Sequence, residues 1–561
     1  MQKPFYYFLL LSFVIVFGCS EDKVALKKVA KGEKRYGGEI TYESPEMVDQ
    51  FFPLSCLSMY EQRAISPIFE TLIQFNEETN ELSGNLISSY TISKDLKTID
   101  LNLNKGIYFH DDICFGGKAE ELTATDIKFT LDFACTPHKL NQQSELLITK
   151  IDGAKVLYDS FEENISKGVS GIKILSRYSL RIELVNPSPT FLKVLTHQSM
   201  SVFSKKAYEY YKEKIKEHPV GTGPFKLFSS NEKERVYIRN DKYWGKDKYG
   251  NQLPFIDKIK VKQQKEKKAF SSFTTQKTDL LLSVPANEIN SLFGTLDEAK
   301  DGKNILHKLQ YRKGLKMNYI AFDCSSAPFN DLHLRKAVFH AVNRENICSS
   351  FLFGESNPAL NGILPQGVYF QSNHSPARAY NLQLAKHHLR RSNYRGDSLV
   401  FYANVEEGSS EMDWCNYLVN DLNKKLGLKI RLMTGTYQGK LNSIQAGESK
   451  MWMGAYVPDY PDAESYLIPY SSNNFGNSVR SFGNYKSDEF DAVFEKSAIE
   501  VDDKLRNDLF NECISVMNNE APVVPVYFEN LLVVYNLNLR DANMNSFGII
   551  DFSEAYIKPI K

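Results

Sequence analysis

The sequence predicts an α/β fold divided into more than one domain. A chain of 561 residues is longer than one hydrophobic core normally serves, so two or three domains are expected. Two segments, around residues 98–134 and 412–432, each place a predicted helix and a predicted strand close together in the chain. Helices and strands that follow one another in this way typically form layered α/β architectures.

The first of these segments combines a half-buried strand with a capped helix. Ile99, Leu101 and Leu103 alternate with polar neighbours, which is the period of a strand with one buried face. Thr123 and Asp126 have the spacing of a capping box. The helix that follows them places three apolar residues on one face, namely Ile127, Leu131 and Ala134.

The middle of the chain is rich in turn residues. Residues 219–225 form a predicted double turn, and two strand-like runs follow at 225–228 and 235–239. The pair Gly221 and Gly223 lacks the third glycine of a dinucleotide loop, and the proline that follows removes an N–H that a phosphate would need. These glycines are therefore interpreted as structural.

Two amphipathic helices are predicted in the second half of the chain. The first follows Asp331 and carries apolar residues at i, i+3, i+4, i+7 and i+8 from Leu334. The second begins near residue 412, and Gly427 suits the position just after its end. Alternating apolar residues over 428–432 then predict a strand.

Composition and charge exclude one large class of partner. The chain is 42% hydrophobic and carries 68 basic and 68 acidic side chains, so its formal net charge is zero. A nucleic-acid-binding protein normally shows a basic excess, and none is present. No nucleic-acid partner is expected, and recognition must be local.

The first nineteen residues have the form of an export signal. Lys3 precedes an apolar run over 5–17 that is too short to span a bilayer comfortably. Residues 16–19 resemble the bacterial lipobox, although Phe17 is bulkier than that pattern usually takes. Cleavage before Cys19 would leave its sulfur to carry a lipid anchor. An ordinary secretory signal with an incidental cysteine is the alternative.

The eight cysteines allow a disulfide prediction. If Cys19 is lipidated, seven remain, so at least one thiol stays free or pairs between chains. Cys114 and Cys135 bracket one turn-helix unit and form the best candidate pair in a compartment that permits disulfides.

Metal-binding signatures are absent from the sequence. No C-x-x-C and no H-E-x-x-H occurs, so no metal ligands are expected. Residues 110–112 (His-Asp-Asp) are interpreted as a capped loop, although they could form one edge of a metal site. His387 and His388 lie among basic residues and are interpreted as part of a solvated helix face.

Catalytic motifs are also missing. The chain has no G-x-S-x-G elbow and no phosphate-binding G-x-x-x-x-G-K-[ST] loop. The protein is expected not to be an enzyme and to need no cofactor, although missing motifs alone do not disprove catalysis. A secreted hydrolase stays open as an alternative, because carboxylate pairs from distant segments leave no local trace.

The segment 452–467 is the strongest candidate for a binding site. It surrounds a carboxylate, Asp459, with the aromatic residues Trp452, Tyr456 and Tyr460. A carboxylate held among aromatics suits a cationic amine, because low local polarity strengthens a well-formed charge-assisted bond. The alternative is a surface turn next to Pro461 whose aromatic neighbours belong to the core.

Several motifs, taken together and in order, give the chain a recognisable identity. They lie at residues 69–72, 106–111, 122–129, 219–225, 328–337, 459–462 and 522–527. In this order, and behind a lipobox, they resemble the extracellular solute-binding proteins of family 5, the peptide-binding subunits of ABC importers.

The resemblance implies a two-lobed α/β periplasmic-binding-protein fold with an extra subdomain on the first lobe. Residues 1–18 would be the signal peptide, and 19–37 a mobile lipidated tether. Lobe I would comprise 38–66, 171–313 and 524–561, with the extra subdomain at 67–170. Lobe II would comprise 314–523. The chain would cross between lobes near residues 314 and 523.

The resemblance also implies a function. The protein would be a lipid-anchored binding protein of a bacterial cell envelope, facing the periplasm or the exterior, that captures peptides between closing lobes and delivers them to a membrane permease. In relatives that take peptides, the aspartate matching Asp459 binds the ligand's amino terminus, and Trp452, Tyr456 and Tyr460 would be its neighbours in the pocket. A non-peptide solute, such as a sugar or a metal chelate, is the alternative within the same fold.

Overall fold

The computed structural model describes most of the chain from residue 29 to residue 558. Its gaps are residues 78, 80, 162–167, 285–287, 289–291, 293–299, 302–306, 353–354, 366–379 and 473–482. The predicted signal peptide and the lipidation site Cys19 lie outside the described residues.

The strands range from two to sixteen residues in length. They are β1 Glu39–Ser44, β2 Ile73–Asn76, β3 Glu81–Gly84, β4 Ile87–Ile92, β5 Thr98–Leu103, β6 Ile172–Ser176, β7 Ser179–Glu183, β8 Phe225–Ser230, β9 Glu234–Arg239, β10 Lys258–Gln263, β11 Leu280–Leu281, β12 His307–Phe322, β13 Ser356–Pro358, β14 Ser398–Ala403, β15 Lys429–Thr434, β16 Met451–Tyr456, β17 Val523–Asn536, β18 Leu539–Arg540, β19 Asn543–Met544, β20 Ile550–Asp551 and β21 Tyr556–Ile557.

The helices lie between these strands. They are α1 Met59–Ile65, α2 Ala124–Ala134, α3 Ala154–Asp159, α4 Phe191–Val194, α5 Lys205–Tyr211, α6 Glu266–Thr274, α7 Leu332–Ala341, α8 Arg344–Phe351, α9 Leu382–Arg391, α10 Ser410–Leu426, α11 Tyr437–Gln445, α12 Ala463–Leu467, α13 Asp488–Ile499 and α14 Asp503–Glu520. Short 3₁₀ turns are Lys31–Glu33, Pro53–Ser55, Ile113–Phe115, Ser144–Leu146, Gln198–Met200, Lys212–Lys216 and Ile468–Tyr470. None of the helices in this part of the chain has the length and apolar character needed to cross a bilayer.

The locally predicted elements are confirmed. The predicted strand is β5, and the backbone N–H of Thr123 donates to Asp126 Oδ2 at 3.1 Å at the start of α2. The Asp331 side chain caps α7, and Gly427 follows α10 in the left-handed conformation with φ of 68°. The predicted hairpin is the antiparallel pair β8 and β9.

A large sheet runs through the whole molecule. Its strand order is β15-β14-β16-β12-β17-β11-β1-β10-β9-β8, with β13 paired to β17. The long strands β12 and β17 pair antiparallel through most of their length, and the register shifts between Lys313 and Met317 opposite Glu529. These two strands are the structural link between the two halves of the sheet.

The hydrophobic cores divide at this link. One core collects residues between Ile40 and Leu280 and between Val533 and Ala555, which we call lobe I. Two further cores collect residues between Met317 and Phe528, which we call lobe II. Residues 523–528 pack in lobe II, so the packing favours a return to lobe I after residue 528 rather than near 523. The domain boundaries as a set stay predictions.

Lobe I carries a separate four-stranded sheet of order β4-β5-β7-β6. Helix α2 packs near it, and the sheet's core residues Leu101, Leu180 and Ile182 are fully buried. The last strand of this sheet in the chain ends at Glu183. A division that keeps the sheet whole therefore ends the subdomain after residue 183, beyond the predicted 170.

The end of the predicted tether is attached to the body of the protein. Lys34 was expected to lie in a mobile segment, but it is buried, with its Nζ 2.7 Å from Glu554 and 3.2 Å from Asp541. These ion pairs fasten the segment to the end of the chain. The expectation of a mobile tether reaching to about Lys34 was therefore wrong for Lys34 itself.

The predicted disulfide between Cys114 and Cys135 is also wrong. Both thiols are free, as are the other cysteines among the described residues. Cys135 follows the end of α2 and is fully buried, whereas Cys114 is half-buried in a 3₁₀ turn and its thiol lies beside the Asp112 carboxylate. Close spacing in the chain does not by itself bring two thiols into disulfide geometry.

Candidate functional site

The candidate site begins at the end of strand β16. This strand lies between β12 and β14, so that Trp452 faces Ala321 on one side and Tyr402 on the other in register. The Trp452 side chain is 9% exposed and packs in a lobe II core. Of the predicted ligand-binding residues, Trp452 therefore has a packing role in this structure.

Asp459 lies in the loop between β16 and α12 and is half-buried. Its backbone N–H donates to Ser465 Oγ at 2.8 Å, and the Tyr456 hydroxyl donates to the Ser465 carbonyl oxygen at 2.7 Å. Ser465 is itself fully buried. The loop that carries Asp459 is therefore held at two points by the same residue of α12.

Aromatic rings surround the lobe II side of this loop. Tyr456 packs edge-on against Tyr466 with ring centroids 6.0 Å apart, and the Tyr466 hydroxyl donates to the Leu315 carbonyl oxygen at 2.6 Å. Gly454 faces Tyr319 in the sheet, and a Cβ at Gly454 would overlap that ring. Tyr466 falls within the predicted segment 452–467 but was not proposed as a pocket residue, and Tyr319 lies outside that segment, on β12.

Tyr460 projects into the opposite lobe. It is fully buried in the lobe I core, although its chain neighbours belong to lobe II. Within the described part of the chain its hydroxyl has no hydrogen-bond partner. Burial, together with the nearby carboxylates of Glu464 and Asp462, raises the pKa of Tyr460 well above its ordinary value. The loop therefore contacts both lobes: Asp459 is bonded to lobe II, and the next residue, Tyr460, packs in the core of lobe I.

Asp462 is the centre of a buried ionic contact between the lobes. Its carboxylate accepts hydrogen bonds from Arg506 Nη1 at 2.9 Å and Nη2 at 2.8 Å, and from Lys193 Nζ at 2.7 Å. Burial alone would raise the pKa of Asp462, but Arg506 and Lys193 outweigh it and lower the pKa to about 2. Asp462 is therefore ionised at any physiological pH.

Glu464 extends this contact. It accepts from Thr190 Oγ1 at 2.6 Å, and its oxygens lie 3.3 Å from Lys150 Nζ and from Arg506 Nη2. We call these residues the interlobe ion network, which comprises Lys150, Thr190 and Lys193 on the lobe I side and Asp462, Glu464 and Arg506 on the lobe II side. This network was not predicted from sequence, since Thr190 and Glu464 lie 274 residues apart in the chain.

A cavity of about 750 Å³ lies beside the network, between the lobes. Its wall is mixed: Ile148, Pro187, Ile468 and Phe494 are apolar, while Lys150 and Glu464 are charged. Tyr460 also lines it. A cleft of this size with a few polar groups has the dimensions of small-ligand sites in proteins.

The other polar cluster considered from sequence is structural. His110 is buried, and its Nε2 lies 2.9 Å from the Gly223 carbonyl oxygen. Burial lowers the pKa of His110 to about 4, so the ring is neutral. Asp112 caps the following 3₁₀ turn, as the capped-loop interpretation predicted. Among the described residues there is no group of three or more His, Cys, Asp or Glu side chains placed to hold a metal ion.

Comparison with known families gives one match that covers most of the chain. The model described as "Bacterial extracellular solute-binding proteins, family 5 Middle" matches residues 81–478. The match includes the subdomain sheet, the crossover strand β12 and the loop that carries Asp459.

Individual relatives are distant but extend over nearly the full length. The chain is 23% identical to the peptide transport periplasmic protein SapA of Haemophilus influenzae over 87% of this chain and 88% of that protein. It is also 23% identical to the oligopeptide-binding protein OppA of Bacillus subtilis, over 88% of each chain. Among solved structures, the periplasmic binding protein DppA from Helicobacter pylori in complex with the peptide STSA superposes with a TM-score of 0.75 at 22% identity, covering 94% of this chain and 99% of that chain. This likeness establishes the two-lobed fold.

Proposed function

Because this chain belongs to the bacterial extracellular solute-binding proteins of family 5, we propose that it is the substrate-binding component of an ABC importer and that its substrates are peptides. The names of the relatives support this choice, since both curated relatives described above are named for peptides. The similar solved structure holds a peptide as well.

Asp459 is the residue proposed to bind the amino terminus of the peptide. The observation that carries this assignment is its position: its backbone is fixed to Ser465 of lobe II, while the next residue, Tyr460, is buried in lobe I. An ammonium group bound to the Asp459 carboxylate would lie where the two lobes meet. A half-buried carboxylate forms stronger charge-assisted bonds than an exposed one, because fewer water molecules compete.

The rest of the peptide would be held mainly through its backbone. An extended peptide offers donors and acceptors at every residue, so strand-like pairing can hold it with little regard to sequence. Tyr456 and the aromatic residues around it would supply one apolar wall. Water can fill the space that smaller side chains leave.

Lobe closure is proposed to couple capture to delivery. A ligand shifts the equilibrium between open and closed forms only by its differential affinity for them, so it must contact both lobes. Within the interlobe ion network, the contacts of Lys150, Thr190 and Lys193 with Asp462 and Glu464 exist only when lobe II lies against lobe I. The closed form would be the one that a membrane permease recognises.

The proposal extends to the amino-terminal segment and to catalysis. Residues 1–18 would be a signal peptide, and Cys19 would carry a lipid that anchors the protein at a bacterial membrane. The peptide would be released intact, because the protein is proposed to act as a carrier and not as an enzyme.

Isothermal titration calorimetry of the purified protein against a peptide library tests the proposal. We expect peptides to bind, and Asp459→Asn to weaken binding at least several-fold. Asp397→Asn is the matched control, because Asp397 is an exposed lobe II carboxylate. Unchanged affinity in Asp459→Asn would rule out the amine-binding role.

Native mass spectrometry of protein from its own host tests the ligand class. A co-purified mass that fragments as a peptide supports the proposal. A co-purified sugar or metal chelate, or turnover of the ligand into products, would contradict it.

A further inference from the structure

A cluster of histidines lies on the helix pair α7 and α9 of lobe II. His333 of α7 and His388 of α9 face each other, with their Nδ1 atoms 2.9 Å apart. His388 also stacks on His340, with ring centroids 5.7 Å apart and planes inclined by 10°. From its sequence context His388 is expected on a solvated helix face, but its side chain is half-buried against the neighbouring helix, whereas His387 is exposed.

The two Nδ1 atoms lie at hydrogen-bonding distance, and this separation is also short enough for both nitrogens to bind one metal ion. A metal–imidazole nitrogen bond is about 2.0–2.1 Å long, so two such bonds that span 2.9 Å enclose an angle of about 90° at the metal. Tetrahedral coordination would need a separation of about 3.3 Å at the same bond length. An angle near 90° is that of adjacent positions in square-planar or octahedral complexes, which Cu²⁺ and Ni²⁺ prefer.

One carboxylate holds the two helices together beside the histidine pair. The Asp331 carboxylate accepts a hydrogen bond from the His333 backbone N–H at 2.7 Å and another from the Asn393 backbone N–H, just beyond α9. Asp331 therefore ties the start of one helix to the end of the other.

We propose that His333 and His388 form a binding site for a late first-row divalent metal ion, Cu²⁺ or Ni²⁺, with water completing the coordination. The described residues contain no third ligand placed with them. The site is separate from the proposed peptide site, because α7 and α9 pack on a core that contains neither Trp452 nor Tyr460.

Titration of the purified, tag-free protein with Ni²⁺ by calorimetry tests the proposal. We expect one ion per chain, and His333→Ala and His388→Ala should each lower the affinity at least tenfold. His387→Ala is the matched control, because His387 is adjacent in sequence but exposed. It should bind Ni²⁺ as the unaltered protein does.

A spectroscopic measurement identifies the ligands directly. With Cu²⁺, electron paramagnetic resonance should show coupling to two imidazole nitrogens, and His333→Gln should remove one of them. Absence of binding, or equal affinity in the unaltered protein and in both alanine variants, would overturn the proposal. Thermal unfolding of each variant shows whether it is folded. A peptide titration of the same variants shows whether loss of metal binding leaves peptide binding unchanged, which is expected if the two sites are separate.

Discussion

Lys193 and Asp462 lie 269 residues apart in the chain, and the ammonium nitrogen of Lys193 is 2.7 Å from Oδ2 of Asp462. The same carboxylate is held by Arg506, which belongs to its own lobe. If the lobes separate, Asp462 keeps its guanidinium partner while Lys193 gains water. The arrangement therefore stabilises closure without leaving a buried carboxylate unpaired in the open form.

Replacing Lys193 with methionine should favour the open form. The substitution removes one charge-assisted bond that forms between the lobes, and such a bond contributes about 1.5 kcal/mol, which is roughly tenfold in affinity. Calorimetry should show weaker peptide binding, and small-angle scattering should show a more extended particle with peptide present. Lys155→Met is the control, because Lys155 pairs with Asp159 where both side chains are more than half exposed. Equal peptide affinity in the two variants would argue against a role in closure.

Glu70 should give the protein an unusual dependence of stability on pH. Burial raises the pKa of Glu70 to about 7, although Trp244, Thr222 and Tyr243 all donate hydrogen bonds to it. Between its ordinary value of 4.5 and about 7, the folded protein holds a proton that the unfolded chain releases. This carboxyl therefore makes stability fall as pH rises, by up to about 1.4 kcal/mol per pH unit.

His110 acts in the opposite direction over nearly the same range. Its pKa is about 4 in the folded protein against 6.5 ordinarily, so the unfolded chain binds the extra proton and stability falls as pH falls. In the Glu70→Gln variant, the contribution of Glu70 that offsets the effect of His110 on stability is absent. We expect its free energy of unfolding, measured by urea titration, to drop more steeply from pH 6.5 to 4.5 than that of the unaltered protein. Parallel curves would contradict the assignment to Glu70.

Gly314 should be intolerant of any side chain. It lies at the register shift between β12 and β17, and a Cβ there would overlap the carbonyl oxygen of Glu529. We expect Gly314→Ala to lower the free energy of unfolding by about 1 to 3 kcal/mol, since the two strands must move apart. Denaturant unfolding measures this loss. A variant as stable as the parent would show that the crossover strands adjust freely.

The described cysteines should all react as thiols. Alkylation of the unfolded protein without reductant should label Cys114 and Cys135 together with the other five free cysteines. In the folded protein the reaction should be slow, because burial raises the pKa of Cys324 and Cys348 to about 11. Peptide mapping by mass spectrometry gives both results. If Cys114 and Cys135 both stayed unlabelled, the result would instead support a disulfide between them.

Sequence predicts those parts of this protein whose causes are local. The start of α7 after Asp331 and the end of α10 at Gly427 depend on residues within one or two turns, and both were predicted. The interlobe ion network could not be predicted in this way, because the partner of Glu464 is Thr190, which lies 274 residues earlier in the chain. Lys34 was misjudged for the same reason, since its partner Glu554 is 520 residues away.

The position of β17 has a consequence for how the chain folds. This strand lies between β12 and β11, so it closes the gap between two half-sheets whose other members are all made earlier in the chain. Neither half can complete its sheet until the last forty or so residues are available, and pairings over such separations form slowly. A cut or early stop before residue 523 should therefore disable both lobes at once, leaving two unfinished sheet edges open to aggregation.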